Sequence, residues 1–185
     1  MQHKIVEEAR AKMDKSIETL RGEFANIRTG RANPGMLDIV EVEAYGSRMK
    51  INQLGNVTAP DPHLLVIDLW DKSLIGVVEK ALRASPLNVN PSNDGRLIRI
   101  PIPPLTEERR KEMVKLAAKL AEETRVAVRN VRRHTIETIK SQQKSGEIPE
   151  DDAHRLTDEI QKLTDKHIEM IDGLLKSKEA DIMEV

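Results

Sequence analysis

Cysteine is absent from this 185-residue chain, and aromatic residues nearly so: Phe24, Tyr45 and Trp70 are the whole set. Without cysteine there is no disulfide framework, no thiolate metal site and no cysteine nucleophile, so the fold must rest on its core alone and nothing in it requires an oxidising compartment. Long apolar runs are missing too. The opening residues MQHKIVEEAR carry Glu7 and Glu8 in place of an apolar signal region, and no stretch approaches the roughly 18 residues of a membrane span. The expectation is a soluble, cytoplasmic protein with no membrane partner.

Charge is abundant. Asp, Glu, Lys and Arg make up 33% of the residues, against roughly 25% in ordinary globular chains, which favours long solvent-exposed helices. The net charge of -1 argues at first against a nucleic-acid partner, because phosphate affinity comes from clustered cations. Split along the chain, the balance dissolves. Residues 1–30 and 31–105 are close to neutral, residues 106–135 hold 9 basic against 5 acidic side chains, and residues 147–185 hold 5 against 12. A basic segment precedes an acidic one, and the total hides both.

Three segments have helical period. Val6, Ala9, Met13, Ile17, Leu20, Phe24 and Ile27 recur at spacings of three and four until Thr29 and Gly30 end the pattern. A second run starts after Pro103, Pro104 and Leu105, with Thr106 suited to the N-cap; Met113, Ala117, Leu120, Thr124, Ala127 and Val131 give its seam, and Gly146 ends it. The third begins near Pro149, suited to a first-turn position, and buries Leu156, Ile160, Leu163, His167, Ile171 and Leu174. Three such stripes covering one another predict a three-helix bundle whose aliphatic knobs need few aromatics.

The 75 or so residues between the first two helices have another texture. Residues 36–44, 49–54 and 64–70 read as strands, 71–84 as a helix, and 96–102 as a closing strand after a turn at 90–95. The fold class is therefore α+β in two domains. The bundle is discontinuous, 1–30 with 105–185, and a small β-α-β, sandwich-like α/β domain occupies 31–104. The chain crosses between them only twice. Gly30 and Arg31 at one crossing and Pro103, Pro104 and Leu105 at the other form a candidate hinge, although the same residues also read as a plain helix stop and helix start.

Catalytic chemistry is not visible. His3, His63, His134, His154 and His167 never fall three or four apart, as two metal ligands on one helix face would. His167, inside a seam, reads as a satisfied core residue. Ser92, Asn93, Asp94 and Gly95 lack the lysine and following helix of a phosphate loop and read as a turn, and Asp151 with Asp152 suit a first helical turn better than a metal. No enzyme activity, cofactor or metal is expected.

The strongest local signal is residues 125–133, RVAVRNVRR. At 100° per residue Ala127 and Val131 lie on the seam side with Leu120, while Arg125, Arg129, Arg132 and Arg133 cluster within about 100° on the opposite face. Lys111, Lys115 and Lys140 lengthen that ridge, and Glu122 is its main interruption. It reads either as an ordinary solvated face or as a rigid ridge for a nucleic-acid backbone, which arginine grips bidentately. A ridge without an aromatic stacking platform suits folded RNA read by shape better than single strands. A helical scaffold that holds partner proteins through its seams is the alternative.

The stretches 27–34 (IRTGRANP), 103–111 (PPLTEERRK) and 125–133, followed by 150–152 (EDD) and 161–165 (QKLTD), resemble the signature segments of the bacterial ribosome recycling factor family, in that family's order and across the full chain. One departure is His134, where the family usually has an acidic residue after the arginine pair. The resemblance implies a non-enzymatic, monomeric translation factor of L shape and roughly transfer-RNA size. It implies binding to the large subunit of the post-termination ribosome, which elongation factor G with GTP then splits into subunits for a new round of protein biosynthesis. On this view Arg129, Arg132 and Arg133 contact large-subunit ribosomal RNA, Arg125 belongs to the same ridge, and Arg28, Arg31, Arg109 and Arg110 cluster near the hinge.

Overall fold

The computed structural model describes residues 4–184, so His3 lies outside the described residues. Two units divide the chain, one made of the residues through Thr29 together with Glu107–Glu184, the other of Gly30–Thr106.

The first unit is three helices: α1 (Lys4–Ala25), α3 (Glu107–Lys144) and α4 (Glu150–Met183). Its core takes large aliphatic side chains from α1 and α4, among them Met13, Ile17, Leu20, Leu156, Ile160 and Ile171, and mostly smaller ones from α3, with Ile139 the large exception. The buried line on α3 is Ala117, Ala121, Thr124, Val128, Thr135 and Ile139. It therefore runs through Ala121 and Val128 in place of the expected Leu120 and Ala127, which are only half-buried. Small residues let α3 approach its neighbours closely, and the threonine hydroxyls stay satisfied inside by donating one turn back, Thr124 to the Leu120 carbonyl (2.9 Å) and Thr135 to that of Val131 (2.8 Å). Gly146, at φ 80°, ends α3. The Glu147 amide donates to the Gln142 carbonyl and the Gly146 amide to that of Gln143, the crossed pair that closes a helix on a left-handed glycine. Pro149 sits at the cap of α4, one position before the first turn expected for it. His167 is 3% exposed and satisfied on both sides, its Nδ1 2.7 Å from the Leu163 carbonyl and its Nε2 2.7 Å from the Asp14 carboxylate on α1.

The second unit carries a two-stranded hairpin, β1 (Glu41–Ala44) with β2 (Ser47–Lys50), and an antiparallel sheet ordered β3-β4-β6-β5. That sheet is built from β3 (Gly55–Asp61), β4 (Leu64–Leu69), β5 (Ser92–Asn93) and β6 (Ile98–Pro101), and α2 (Ile75–Ala84) completes the unit. Alternation puts Leu65, Ile67 and Leu69 of β4 with Ile98 and Ile100 of β6 into a core shared with Val78 and Leu82 of α2 and Val42 of β1. Two expected strands are shorter than their apolar pattern. Pro34–Ile39 is a 3-10 turn, because Pro34 favours a helical start and the Asn33 side chain caps the Gly35 amide, and Ile51–Gln53 winds into a second turn after β2. The sequence reading missed β3. It is an edge strand with one glycine, one proline and mostly exposed residues, so it carries no alternating signal. Gly55 is obligatory there, since a Cβ would stand 2.3 Å from the Asp68 carbonyl oxygen.

Candidate nucleic-acid interface

The line buried on α3 fixes which of its cations can meet a partner. With zero set on Ala117 and Thr135 at the middle of that line, Arg132 falls at about 60°, Arg125 at about 80°, Arg129 at about 120° and Arg133 at about 160°. The four arginines thus divide into two that flank the seam and two that face solvent.

Arg125 is the clearest departure from expectation. Its side chain is only 18% exposed, and its Nε and Nη2 donate to Asp172 Oδ1 on α4 at 3.0 and 2.7 Å while Nη1 donates to Glu122 at 3.0 Å. Partial burial works against its charge, but the bonds to Asp172 and Glu122 outweigh it and push the pKa above the ordinary arginine value. The acid that engages it comes from the neighbouring helix, which a wheel drawn for α3 alone cannot show. Arg125 is an interhelical clasp. Arg132 is half-buried: Nη1 donates to Gln161 of α4 at 3.3 Å, and its Nε is buried with no hydrogen-bond partner.

Arg129 and Arg133 stand outward. Arg129 makes one long contact to Glu122, at 3.5 Å with about half its side chain exposed, and among the described residues Arg133 enters no ion pair or hydrogen bond. Lys111, Lys115, Lys140 and Lys144 fall at about 120° to 180° on the same wheel, so a stripe of six exposed cations runs along α3. Lys111 is engaged by Glu107 at 2.8 Å. Across the stripe Glu122 is the acid that lies nearest its centre, and it is shared between Arg125 and Arg129. A straight row of cations on a rigid helix, free of aromatic rings, matches a polyanionic backbone.

The residues expected around the two crossings lie in both units. Arg28 is exposed, as is Arg109, which pairs with Glu112 at 2.8 Å, while Arg110 is half-buried with an unpartnered Nε. In the second unit Arg31 is exposed. Gly30 has φ 73°, and a Cβ on it would stand 3.0 Å from the Leu105 amide nitrogen and 3.2 Å from that side chain. The two crossings therefore run side by side, and the left-handed backbone is the form that permits it. The Pro62 and His63 turn ties both: Ala32 donates to the Pro62 carbonyl at 2.6 Å, Ile102 donates to the His63 carbonyl at 2.7 Å, and the His63 ring lies 3.2 Å from the Gly30 carbonyl. Sequence pattern gave no hint of His63, because its partners are backbone atoms distant in the chain. Pro103 and Pro104 are exposed between these anchors and α3. Among the described residues no group of His, Asp and Glu is placed to hold a metal, and no helix is long and apolar enough to cross a membrane.

The comparisons with known proteins agree with one another. The family model for ribosome recycling factor matches residues 20–183. The chain is 50% identical over 185 residues to the ribosome-recycling factor of Symbiobacterium thermophilum, covering all of both chains. It is 52% identical over 181 residues to that of Carboxydothermus hydrogenoformans, covering 98% of each. Among solved structures, a solution structure of a ribosome recycling factor aligns with TM-score 0.81 at 42% identity over the full length of both chains. A Thermus thermophilus ribosome recycling factor, from a description of that factor and Escherichia coli elongation factor G bound to the Escherichia coli post-termination complex, aligns with TM-score 0.65 at 46% identity over 97% of each.

Proposed function

The chain belongs to the ribosome recycling factor family, and from that premise we propose that it binds the large subunit of the post-termination ribosome and, with elongation factor G and GTP, splits the ribosome for another round of translation. The observation that carries the binding half is the outward stripe on α3, in which, among the described residues, Arg133 has no partner and Arg129 only a long one. Arg129 and Arg133 with Lys115 and Lys140 meet ribosomal RNA phosphates, and Arg132 meets RNA at the edge of the stripe. Arg28, Arg109 and Arg110 of the bundle, and Arg31 of the inserted unit, are further RNA contacts. Gly30, Arg31, Pro103, Pro104 and Leu105 serve as the pivot. The protein acts as a cytoplasmic monomer and a binding factor, with no catalytic group of its own.

The scaffold alternative is the weaker reading. It needs an apolar seam left open for a partner, and the stripes of α1, α3 and α4 cover one another in a single core. The test is pelleting with ribosomes across a salt series, alongside subunit splitting with elongation factor G and GTP. Arg129→Ala and Arg133→Ala together keep the fold, weaken binding, and flatten the salt dependence by roughly one unit of slope per lost phosphate contact. Unchanged binding and slope in that double variant would remove α3 from the RNA interface.

A further inference from the structure

The row of cations on α3 is interrupted near its middle by a charge of the opposite sign. Glu122 falls at about 140° on the wheel, inside the sector of about 120° to 180° that holds Lys111, Lys115, Arg129, Arg133, Lys140 and Lys144. The neighbouring Glu112, Glu123 and Glu137 fall at about 200° to 240°, beside that sector. Glu122 has 57% of its side chain exposed, on the line a bound phosphate chain would follow.

Its two oxygens have different partners. Oε2 accepts from Arg125 Nη1 at 3.0 Å, supporting a guanidinium that Asp172 already holds by two bonds. Oε1 faces Arg129 Nη1 at 3.5 Å, the long limit of a hydrogen bond. Glu122 and Arg129 are seven residues apart, about 10 Å along the helix axis, so the arginine reaches back along α3 past the turn that carries the exposed Val126. That direction follows the lean of helical side chains toward the N-terminus. Ion pairs that stabilise a helix join residues three or four apart. The Glu122–Arg129 pair is wider and longer than these, and is therefore easily exchanged.

A phosphate offers Arg129 a short, bidentate, charge-assisted contact and takes the guanidinium from Glu122 when it arrives. The carboxylate then stands beside the phosphate. Like charges about 6–8 Å apart at an exposed site repel enough to change affinity roughly three- to tenfold, and dissolved ions weaken that repulsion because the screening length is about 8 Å at physiological salt. A row of six cations holds a polyanion tightly. A factor that has to leave the large subunit after splitting is slowed by a long residence time, and an acid within the row shortens it.

We propose that Glu122 limits the affinity of the RNA-facing stripe: its carboxylate competes with RNA phosphate for Arg129 and repels the phosphate that replaces it, so that the factor is released once the subunits part. The proposal rests on the RNA-binding reading argued above and names the residue that sets its strength. The test uses the full-length chain with Glu122→Gln, which keeps a helix-forming side chain and an acceptor oxygen for Arg125. Glu169→Gln, at an exposed acid of α4, is the control for net charge. Pelleting with ribosomes at low salt shows affinity about fivefold higher for Glu122→Gln, with a gap that narrows as salt rises, and shows Glu169→Gln unchanged. In an Arg129→Ala background the gain from Glu122→Gln falls to about twofold or less, because the contested guanidinium is gone. With elongation factor G and GTP, splitting slows when ribosomes exceed Glu122→Gln, relative to splitting with that variant in excess. Unchanged or weaker pelleting overturns the proposal, and a lowered unfolding midpoint without tighter binding would make Glu122 a structural partner of Arg125 only. An equal gain from Glu169→Gln, an undiminished gain without Arg129, or tighter binding with undiminished turnover overturns it as well. Failure of the unaltered chain to pellet with ribosomes overturns the functional reading itself, an outcome distinct from all of these.

Discussion

The two units solve the same burial problem with opposite means. In the bundle, long aliphatic seams close over one another, the one aromatic is inside, and the surface is charge. In the inserted unit a short sheet and one helix make a separate core, and two aromatic rings are left outside. The difference teaches how each architecture spends its surface. A straight helix presents cations at even spacing, which suits a polyanion read by shape. The inserted unit instead exposes one ring at its hairpin turn, Tyr45, and another just after β4, Trp70.

If the cores are independent, damage to one should not propagate. Met13→Ala in the bundle removes a fully buried side chain, as Leu65→Ala does in the inserted unit, and each should cost about 2–5 kcal/mol of its own unit's stability. Amide hydrogen exchange reads them separately: Met13→Ala lowers protection along α1, α3 and α4, and Leu65→Ala lowers it along β4 and β6. Equal loss in both units from either substitution would show one cooperative block and erase the comparison. A glycine pair sharpens it with a change of sign. Gly55→Ala drives a methyl into the Asp68 carbonyl and should destabilise the inserted unit by about 1–3 kcal/mol. Gly22→Ala, on α1 with nothing within 4 Å of its added carbon, should stabilise the bundle by about 0.5–1 kcal/mol. Thermal unfolding of the two variants verifies both signs.

The bundle was the more legible of the two. Every apolar residue expected on the first seam, from Val6 to Ile27, is buried, because a long helix repeats its signal over six turns. The short elements say less: residues 36–39 look like strand by composition, yet Asn33 and Pro34 turn them into a 3-10 segment, and β3 has an edge strand's muted pattern. On α3 the periodicity located the arginines and placed Ala117 and Thr124 in the seam correctly, but it took Leu120 and Ala127 where Ala121 and Val128 are buried and stopped short of Thr135 and Ile139. Interhelical partners were beyond the reach of any one-helix argument. Asp172 is 47 residues from Arg125, and no spacing rule connects them.

The smallest effect tests that last point, and it does so by separating stability from binding. Arg125→Ala removes a part-buried guanidinium that three hydrogen bonds tie to Asp172 and Glu122. Both acids are more than half exposed and can return to water, so the loss should be about 0.5–1 kcal/mol of bundle stability. Binding should change little, and Glu122, released from Arg125, would then lean on Arg129 alone. Arg133→Ala should do the reverse. Its side chain stands free in solvent, so stability stays within about 0.5 kcal/mol while ribosome affinity and its salt slope fall. Unfolding midpoints and salt-dependent pelleting of the two variants form a four-way comparison. Arg125→Ala that weakens binding as much as Arg133→Ala, without loss of stability, would mean that the clasp opens on the ribosome and that Arg125 belongs to the RNA surface after all.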